Sequence, residues 1–126
     1  MVKEEKTGYT IKLDAKLGDV QISNEVVAVI AGLAAMEVEG VSSMAGNATR
    51  DLISKLGMKT LSKGATADIL EGVVTIHVAL NLKYGYNVMQ VSAKVQEKVK
   101  SAVENMTGLT VADVNVRIAG VDVEGN

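Results

Sequence analysis

Two segments in the second half of the chain alternate apolar and polar residues, which predicts β-strands. The longer segment, VVTIHVALNLK at 73–83, has alternate apolar positions at Val74, Ile76, Val78, Leu80 and Leu82. The later segment turns Val114, Val116 and Ile118 to one side. Glu71-Gly72 is a two-residue connection typical of a hairpin, so we expect an extended partner at 65–70. Each strand therefore has one face for the core and one polar face.

The segment NEVVAVIAGLAAMEV at 24–38 predicts a helix capped by Ser23 or Asn24. It is apolar almost all round, and a helix of that kind is buried on most sides. Its larger residues form one stripe, Val26, Val29, Ile30 and Leu33, and its small residues form a second, Ala28, Gly32 and Ala35. The stripe of small residues predicts that another backbone packs closely there, in this chain or in a partner.

A second helix is predicted at 88–106, after a capping box formed by Asn87 and Gln90. Its apolar residues recur at gaps of three or four: Val88, Val91, Val95, Val99, Ala102 and Met106. Gly108 stands where a left-handed residue ends a helix. This spacing predicts an amphipathic helix with one buried side.

The remaining segments have weaker patterns. Residues 9–22 contain two short alternating runs, with Gly18-Asp19 predicted as the turn between them. Residues 41–64 are harder to interpret, and Asn47 or Thr49 is a candidate cap for a short amphipathic helix. We expect 46–66 to be a variable middle segment, and 1–8 and 122–126 to be frayed ends.

The order strand, helix, strand, strand, helix, strand predicts an α+β fold. Two helices on one face of a small mixed or antiparallel sheet would bury every apolar face, as a two-layer sandwich. A length of 126 residues predicts a single domain, 1–126.

Composition narrows the classes of function. There is no cysteine, which excludes disulfides, thiolate zinc sites and thiol nucleophiles. The net charge of −2, with both signs interspersed, gives no reason to expect nucleic-acid binding. No apolar run approaches the ~20 residues of a membrane span, and the start, MVKEEKTG, lacks a secretion signal. We expect a cytoplasmic protein.

Candidate chemistry is sparse. His77 is the single histidine, so no histidine pair can bind a metal, and no nucleophile–base arrangement is indicated. If the two alternating strands are neighbours, their polar positions form one hydrophilic patch, which is either a solvated face or a contact surface: Thr75, His77, Asn81, Lys83, Asp113, Asn115 and Arg117. The sequence predicts neither a catalytic residue nor a cofactor or metal site.

Three lysines in the middle segment, Lys55, Lys59 and Lys63, are spaced by four and would form a basic stripe on a helix. Such a stripe could contact a membrane surface or an acidic partner, but a solvated segment is the simpler interpretation. The twelve glycines show no phosphate-binding spacing.

Two long segments resemble the alkaline shock protein family of Gram-positive bacteria. They are ISNEVVAVIAGLAAMEVEGVSSMAG at 22–46 and YGYNVMQVSAKVQEKVKSAVENMTGLTVADVNVRIAGV at 84–121. The resemblance implies a non-enzymatic protein of cell-envelope homeostasis and stress, acting through self-association or a membrane-anchored protein partner. Such a protein would be cytoplasmic or held at the inner face of the membrane by that partner. The family offers no catalytic residues, and its signature positions here are interpreted as turns and packing positions: Gly40, Tyr84, Gly85, Gly108 and Asn115.

Two other classes of binding module remain as alternatives. A small-molecule regulatory module of the ACT type uses the same order of elements, but it favours glycines in the first strand–helix turn, and QISNEV has none. An RNA-binding module of the KH type would require a basic Gly-x-x-Gly loop, which is absent.

Overall fold

The computed structural model describes residues 5–6, 10–14, 18–45 and 64–123. The elements in chain order are β1 (Glu5–Lys6), β2 (Thr10–Asp14), β3 (Gly18–Gln21), α1 (Asn24–Met36), β4 (Val41–Met44), β5 (Ala65–Leu70), β6 (Val73–Lys83), α2 (Val88–Thr107) and β7 (Thr110–Asp122). The short helix considered near Asn47 and Thr49, and the stripe Lys55, Lys59 and Lys63, lie outside the described residues.

The main sheet is built around β6. On one side, β7 runs parallel to β6 along its whole length, from Val73 opposite Thr110 to Lys83 opposite Asp122. On the other side, β5 pairs antiparallel with the first part of β6 and β4 with the last part. The sheet is therefore mixed, and together with the two helices it confirms the predicted α+β class.

The core lies between one face of this sheet and both helices. The five alternating apolar residues of β6 are at most 2 % exposed, as the pattern predicts: Val74, Ile76, Val78, Leu80 and Leu82. They form one cluster with the buried side chains of α1 and α2. Burying a side chain of this size stabilises the fold by about 1.5–3 kcal/mol, so β6 is a main source of stability.

Helix α1 buries its stripe of small residues more deeply than its stripe of larger residues. Its small residues are the buried ones, namely Ala28, Ala31, Gly32, Ala34 and Ala35 together with Val27. Val26 is 49 % exposed, whereas Val29, Ile30 and Leu33 are only partly buried. Small side chains let α1 approach α2 and the sheet closely. The predicted close packing on the small stripe is confirmed.

Helix α2 buries a line of residues four apart: Val91, Val95, Val99, Val103 and Thr107. The predicted members Val88 and Met106 are instead 43 % and 70 % exposed. The buried line is therefore extended by Val103 and Thr107, while Val88 and Met106 lie near the ends of the helix. Thr107 is accommodated because its hydroxyl donates to the Val103 carbonyl at 2.6 Å and accepts from the Leu109 N–H at 3.1 Å.

The N-terminal strands form a separate antiparallel sheet in the order β1–β2–β3. The strand before α1 is therefore not part of the main sheet, and β4, which the pattern did not predict, pairs with β6 instead. The predicted Gly18-Asp19 turn is wrong, because Gly18 pairs with Asp14 and Asp19 with Lys12. Local sequence preferences in a strand depend on context, so pairing with β2 overrides the turn preference of these two residues.

The predicted caps and turns are largely confirmed. Ser23 Oγ accepts from the Val26 N–H at 3.1 Å, and Asn87 Oδ1 accepts from the Gln90 N–H at 2.9 Å. Gly108 ends α2 with φ +77°. Glu71 and Gly72 both have positive φ, 52° and 82°, as a tight hairpin turn requires.

Candidate interaction surface

The face of the main sheet opposite the helices, called the open face below, carries all seven residues of the predicted polar patch. On β6 these are Thr75, His77, Asn81 and Lys83, and on β7 they are Asp113, Asn115 and Arg117. The parallel pairing places Thr75 beside Asp113, His77 beside Asn115, and Ala79 beside Arg117. The two strands therefore bring the patch together as one surface.

His77 and Asn115 form the centre of the open face. The Asn115 amide nitrogen lies 3.4 Å from His77 Nδ1, so a hydrogen bond there requires the tautomer in which Nδ1 accepts. Both side chains are exposed. Together with Thr66 and Arg117 they line a shallow depression beside Gly64.

Asn81 has a structural role within the patch. Its amide donates to Ser43 Oγ at 3.0 Å, which ties β4 to β6. Gly120 lies opposite, and a Cβ at that position would be 3.0 Å from Asn81 Oδ1. Asn81 is therefore partly buried by its neighbours and less available to a partner than His77 or Lys83.

Ser42 and Asp122 are open-face residues that the sequence pattern missed. Asp122 lies opposite Lys83 in the register, and Ser42 Oγ donates to Asp122 Oδ2 at 2.9 Å. A second shallow depression involves this corner, lined by Ser42, Ser43, Asn81, Gly120 and Asp122. Since β4 has only four residues, no periodicity in the sequence indicated that it would lie there.

Within the described ranges, no three His, Asp or Glu side chains converge as metal ligands. In the described part of the chain, every buried polar side-chain atom has a hydrogen-bond partner. Among the described residues, the side chain that His77 bonds to is the Asn115 amide. The open face presents amide, imidazole, carboxylate and cationic groups on two paired strands. This mixture suits recognition of another polar surface.

The segments EVEGV and YGYN, far apart in the chain, meet at one end of the fold. Gly40 has φ +103°, and a Cβ there would lie 2.9 Å from both Tyr86 Cδ2 and Val91 Cγ2. The Tyr86 hydroxyl donates to Glu39 Oε2 at 3.1 Å. This hydrogen bond, together with the negative charge of Glu39, raises the pKa of Tyr86 above 10.0. Of the signature positions, Gly40 therefore acts here in chain turning and in packing against Tyr86 and Val91.

No helix in the described part of the chain is long and apolar enough to cross a membrane.

Among solved structures, the chain is similar to MamM CTD. A copper form shares 17 % identity with a TM-score of 0.47, covering 76 % of this chain and 95 % of that one. A nickel form shares 16 % identity with a TM-score of 0.48, covering 76 % and 96 %. At this degree of likeness, nothing follows about ligands or assembly.

Curated relatives are more similar in sequence. YqhY of Bacillus subtilis is 36 % identical over 111 residues, which cover 88 % of this chain and 82 % of YqhY. YloU of the same organism is 34 % identical, covering 90 % and 97 %. Spy1614 of Streptococcus pyogenes is 32 % identical, covering 92 % and 98 %. Residues 12–123 match the profile of a family described by a cell envelope-related function, and the chain thus belongs to that family, the alkaline shock protein 23 family.

Proposed function

We propose that this protein is a non-enzymatic interaction protein of the cell envelope, which acts by associating with itself and with a protein partner anchored in the membrane. In this proposal the protein lies in the cytoplasm, at the inner face of the membrane when the partner is bound. The open face is the surface that meets the partner.

The observation that carries this proposal is the uncovered parallel pair β6–β7. Parallel strands are normally covered on both faces. Here the helices cover one face, and no element of the described chain packs over His77, Asn115 and Arg117 on the other. A partner protein on the open face would supply the missing cover.

The side chains on the open face also favour a protein partner. Arg117, Lys83, Asp113 and the amide of Asn115 give both signs of charge and several hydrogen-bond donors within a short stretch of two strands. Arginine is enriched at protein interfaces, and mixed charges give specificity and orientation more than bulk affinity. A purely basic surface would instead favour nucleic acid or lipid.

The test is affinity capture from a Gram-positive cell lysate that includes solubilised membranes, analysed by mass spectrometry. We compare the wild type with His77→Glu/Lys83→Glu, which alters the open face. The matched control is Gln90→Glu/Lys94→Glu, which makes the same formal charge change on exposed positions of α2. We expect the wild type and the control to capture the same membrane-anchored envelope protein, and the open-face variant to lose it.

Equal capture by both variants would show that the open face is not the contact surface. Recovery of only ribosomal proteins or metabolic enzymes by the wild type would contradict the envelope function itself. The ACT-type alternative receives less support from the strand pairing, because β3, the strand before α1, pairs with β2 and lies outside the main sheet.

A further inference from the structure

The strand β7 has a long edge that faces away from β6. β7 spans thirteen residues, contains no proline, and pairs only with β6 among the described strands. A strand edge of this kind presents unpaired N–H and C=O groups that can bind another strand. Extra residues at Ala112 and Ala119 interrupt the register with β6, so the regular stretch is 113–118.

The direction of the backbone groups in this stretch follows from two hydrogen bonds. Thr110 donates its N–H to the Gly72 carbonyl, and the Tyr84 N–H donates to the Asp122 carbonyl. Even-numbered residues of β6 therefore point their N–H and C=O groups toward β7. The β7 residues directly opposite them point their own N–H and C=O groups away from β6. These are Val114, Val116 and Ile118, opposite Ile76, Val78 and Leu80.

Two side chains of α2 already occupy the beginning of this edge. Glu104 Oε2 accepts from the Val111 N–H at 2.9 Å, and the Gln96 amide donates to the Val114 carbonyl at 3.0 Å. Glu104 thus blocks strand addition at Val111. Gln96 covers one carbonyl, and no described side chain bonds to the backbone of Val116 or Ile118.

We propose that a second copy of this chain pairs with the β7 edge, antiparallel, about a twofold axis at Asn115. This inference rests on the self-association in the proposed function and identifies its surface. Val114 of each copy exchanges backbone hydrogen bonds with Val116 of the other. The two main sheets become one continuous sheet, with both open faces on the same side.

Charge complementarity selects this register. Pairing about Asn115 places Asp113 of each copy directly opposite Arg117 of the other, on the open face. Within one copy, the neighbours of these residues on β6 are Thr75 and Ala79, which carry no charge. Neither Asp113 nor Arg117 has an ion-pair or hydrogen-bond partner in the described part of the chain. An opposite-charge pair on adjacent antiparallel strands is stabilising.

The side of α2 that lies next to the β7 edge is compatible with the proposed dimer. Met89, Ala93 and Gln96 follow one another on α2 at gaps of four and three, so they share the side from which Gln96 reaches the β7 edge. Met89 is 77 % exposed, and the small side chain of Ala93 leaves room for a neighbouring helix. Dimer formation would cover Met89.

The first test uses analytical ultracentrifugation over a dilution series, with circular dichroism to verify folding. Val116→Pro removes an N–H that points to the outer edge and leaves the pairing with β6 intact. Val121→Pro is the matched control, because Val121 also turns outward, opposite Leu82, but lies beyond the paired stretch. We expect the wild type and Val121→Pro to dimerise, and Val116→Pro to remain monomeric.

Charge exchange gives a second test that does not depend on proline being tolerated. Asp113→Arg or Arg117→Asp places like charges opposite each other twice in the dimer, which should raise the dissociation constant about tenfold. The combination Asp113→Arg/Arg117→Asp should bring it back to within about threefold of the wild type. Gln96→Ala, which frees the Val114 carbonyl, should tighten association roughly fivefold.

Dimerisation that is unchanged in Val116→Pro and shows no recovery in the charge-exchange pair would overturn the β7 interface, while self-association by another surface would stand. A wild type that stays monomeric at the highest concentration would overturn both the interface and the self-association. Capture of the envelope partner would then still be decided separately by the lysate experiment.

Discussion

Gly40 joins two distant segments of the chain because it has no side chain. Its positive φ of +103° and the closeness of Tyr86 and Val91 are independent constraints. Either one disfavours any other residue, the first through backbone strain and the second through overpacking. The glycine in EVEGV is therefore explained by packing against YGYN.

Gly40→Ala is expected to lower the free energy of unfolding by about 2–3 kcal/mol, the sum of strain and overpacking. Gly85→Ala is the matched control, since Gly85 has a similar φ of +96° but no atom within 4 Å of a built Cβ. That variant should lose only about 1 kcal/mol. Urea denaturation of both variants checks the difference, and equal losses would contradict the packing contribution of Gly40.

Tyr86 gives the protein a pH-dependent contact at the same end of the fold. Its pKa is raised above 10.0 by the hydrogen bond to Glu39 and by the charge of that carboxylate. The folded state therefore favours the neutral phenol more than the unfolded state does. This contribution is fully present below pH 10 and is lost as the pH rises through the folded-state pKa.

We expect the unfolding free energy of the wild type to fall more steeply above pH 10 than that of Tyr86→Phe. Glu39→Gln, which keeps Tyr86 but removes the carboxylate charge, should reduce the steepness as well. Denaturant melts at a series of alkaline pH values measure this. A slope that is the same in all three proteins would show that the Tyr86–Glu39 contact does not contribute.

At the scale of elements, the hairpin between β5 and β6 fixes the register of the strand on which the core depends. Its turn requires positive φ at both central residues, and Glu71 adopts φ 52° although it has a Cβ. Asparagine and glycine tolerate this conformation better than glutamate.

Glu71→Asn is expected to stabilise the protein by about 0.5–1 kcal/mol, because the strain of a left-handed glutamate is relieved. Thermal and urea unfolding measure the gain. Glu71→Val, with a β-branched residue in the same position, should destabilise by a similar or larger amount. A loss of stability in Glu71→Asn would mean that the Glu71 side chain makes a contribution that outweighs its strain.

Helix α1 shows how a sequence pattern can predict an element without choosing its buried face. Its sequence offered two apolar stripes, and the most deeply buried positions are Val27, Ala31 and Ala35. Since the helix is apolar on nearly all sides, hydrophobic periodicity could not choose among them. The close approach of α2 and β5 decided which side is buried, and the alanines and Gly32 make room for that approach.

At the scale of the whole molecule, the two proposals use different surfaces. The β7 edge is assigned to a second copy and the open face to an envelope partner. Dimerisation through β7 would place two open faces side by side, so one assembly would present the partner-binding residues twice. Two linked sites bind a membrane-anchored partner more tightly than one site does, because the second binding event becomes intramolecular.

Self-association should weaken as salt is raised, because the Asp113–Arg117 pairs lie on the exposed open face, where ions screen them. We expect the dissociation constant of the wild type to rise a few-fold between about 0.05 and 0.5 M salt. The charge-exchange variant Asp113→Arg/Arg117→Asp should show the same dependence, measured by sedimentation. Association that is unaffected or strengthened by salt would contradict an electrostatic contribution to the register.

The sequence alone determined the sidedness of β6 and β7, the caps at Ser23 and Asn87, the turn at Glu71-Gly72 and the composition of the polar patch. Each of these depends on residues near one another in the chain, where backbone geometry sets which way a side chain points. Only the tertiary structure decided that β7 runs parallel beside β6, that β4 pairs with β6 in place of β3, and that Ser42 and Asp122 complete the open face. Strand partners are chosen by long-range packing and backbone hydrogen bonding, and the same local pattern is compatible with several arrangements.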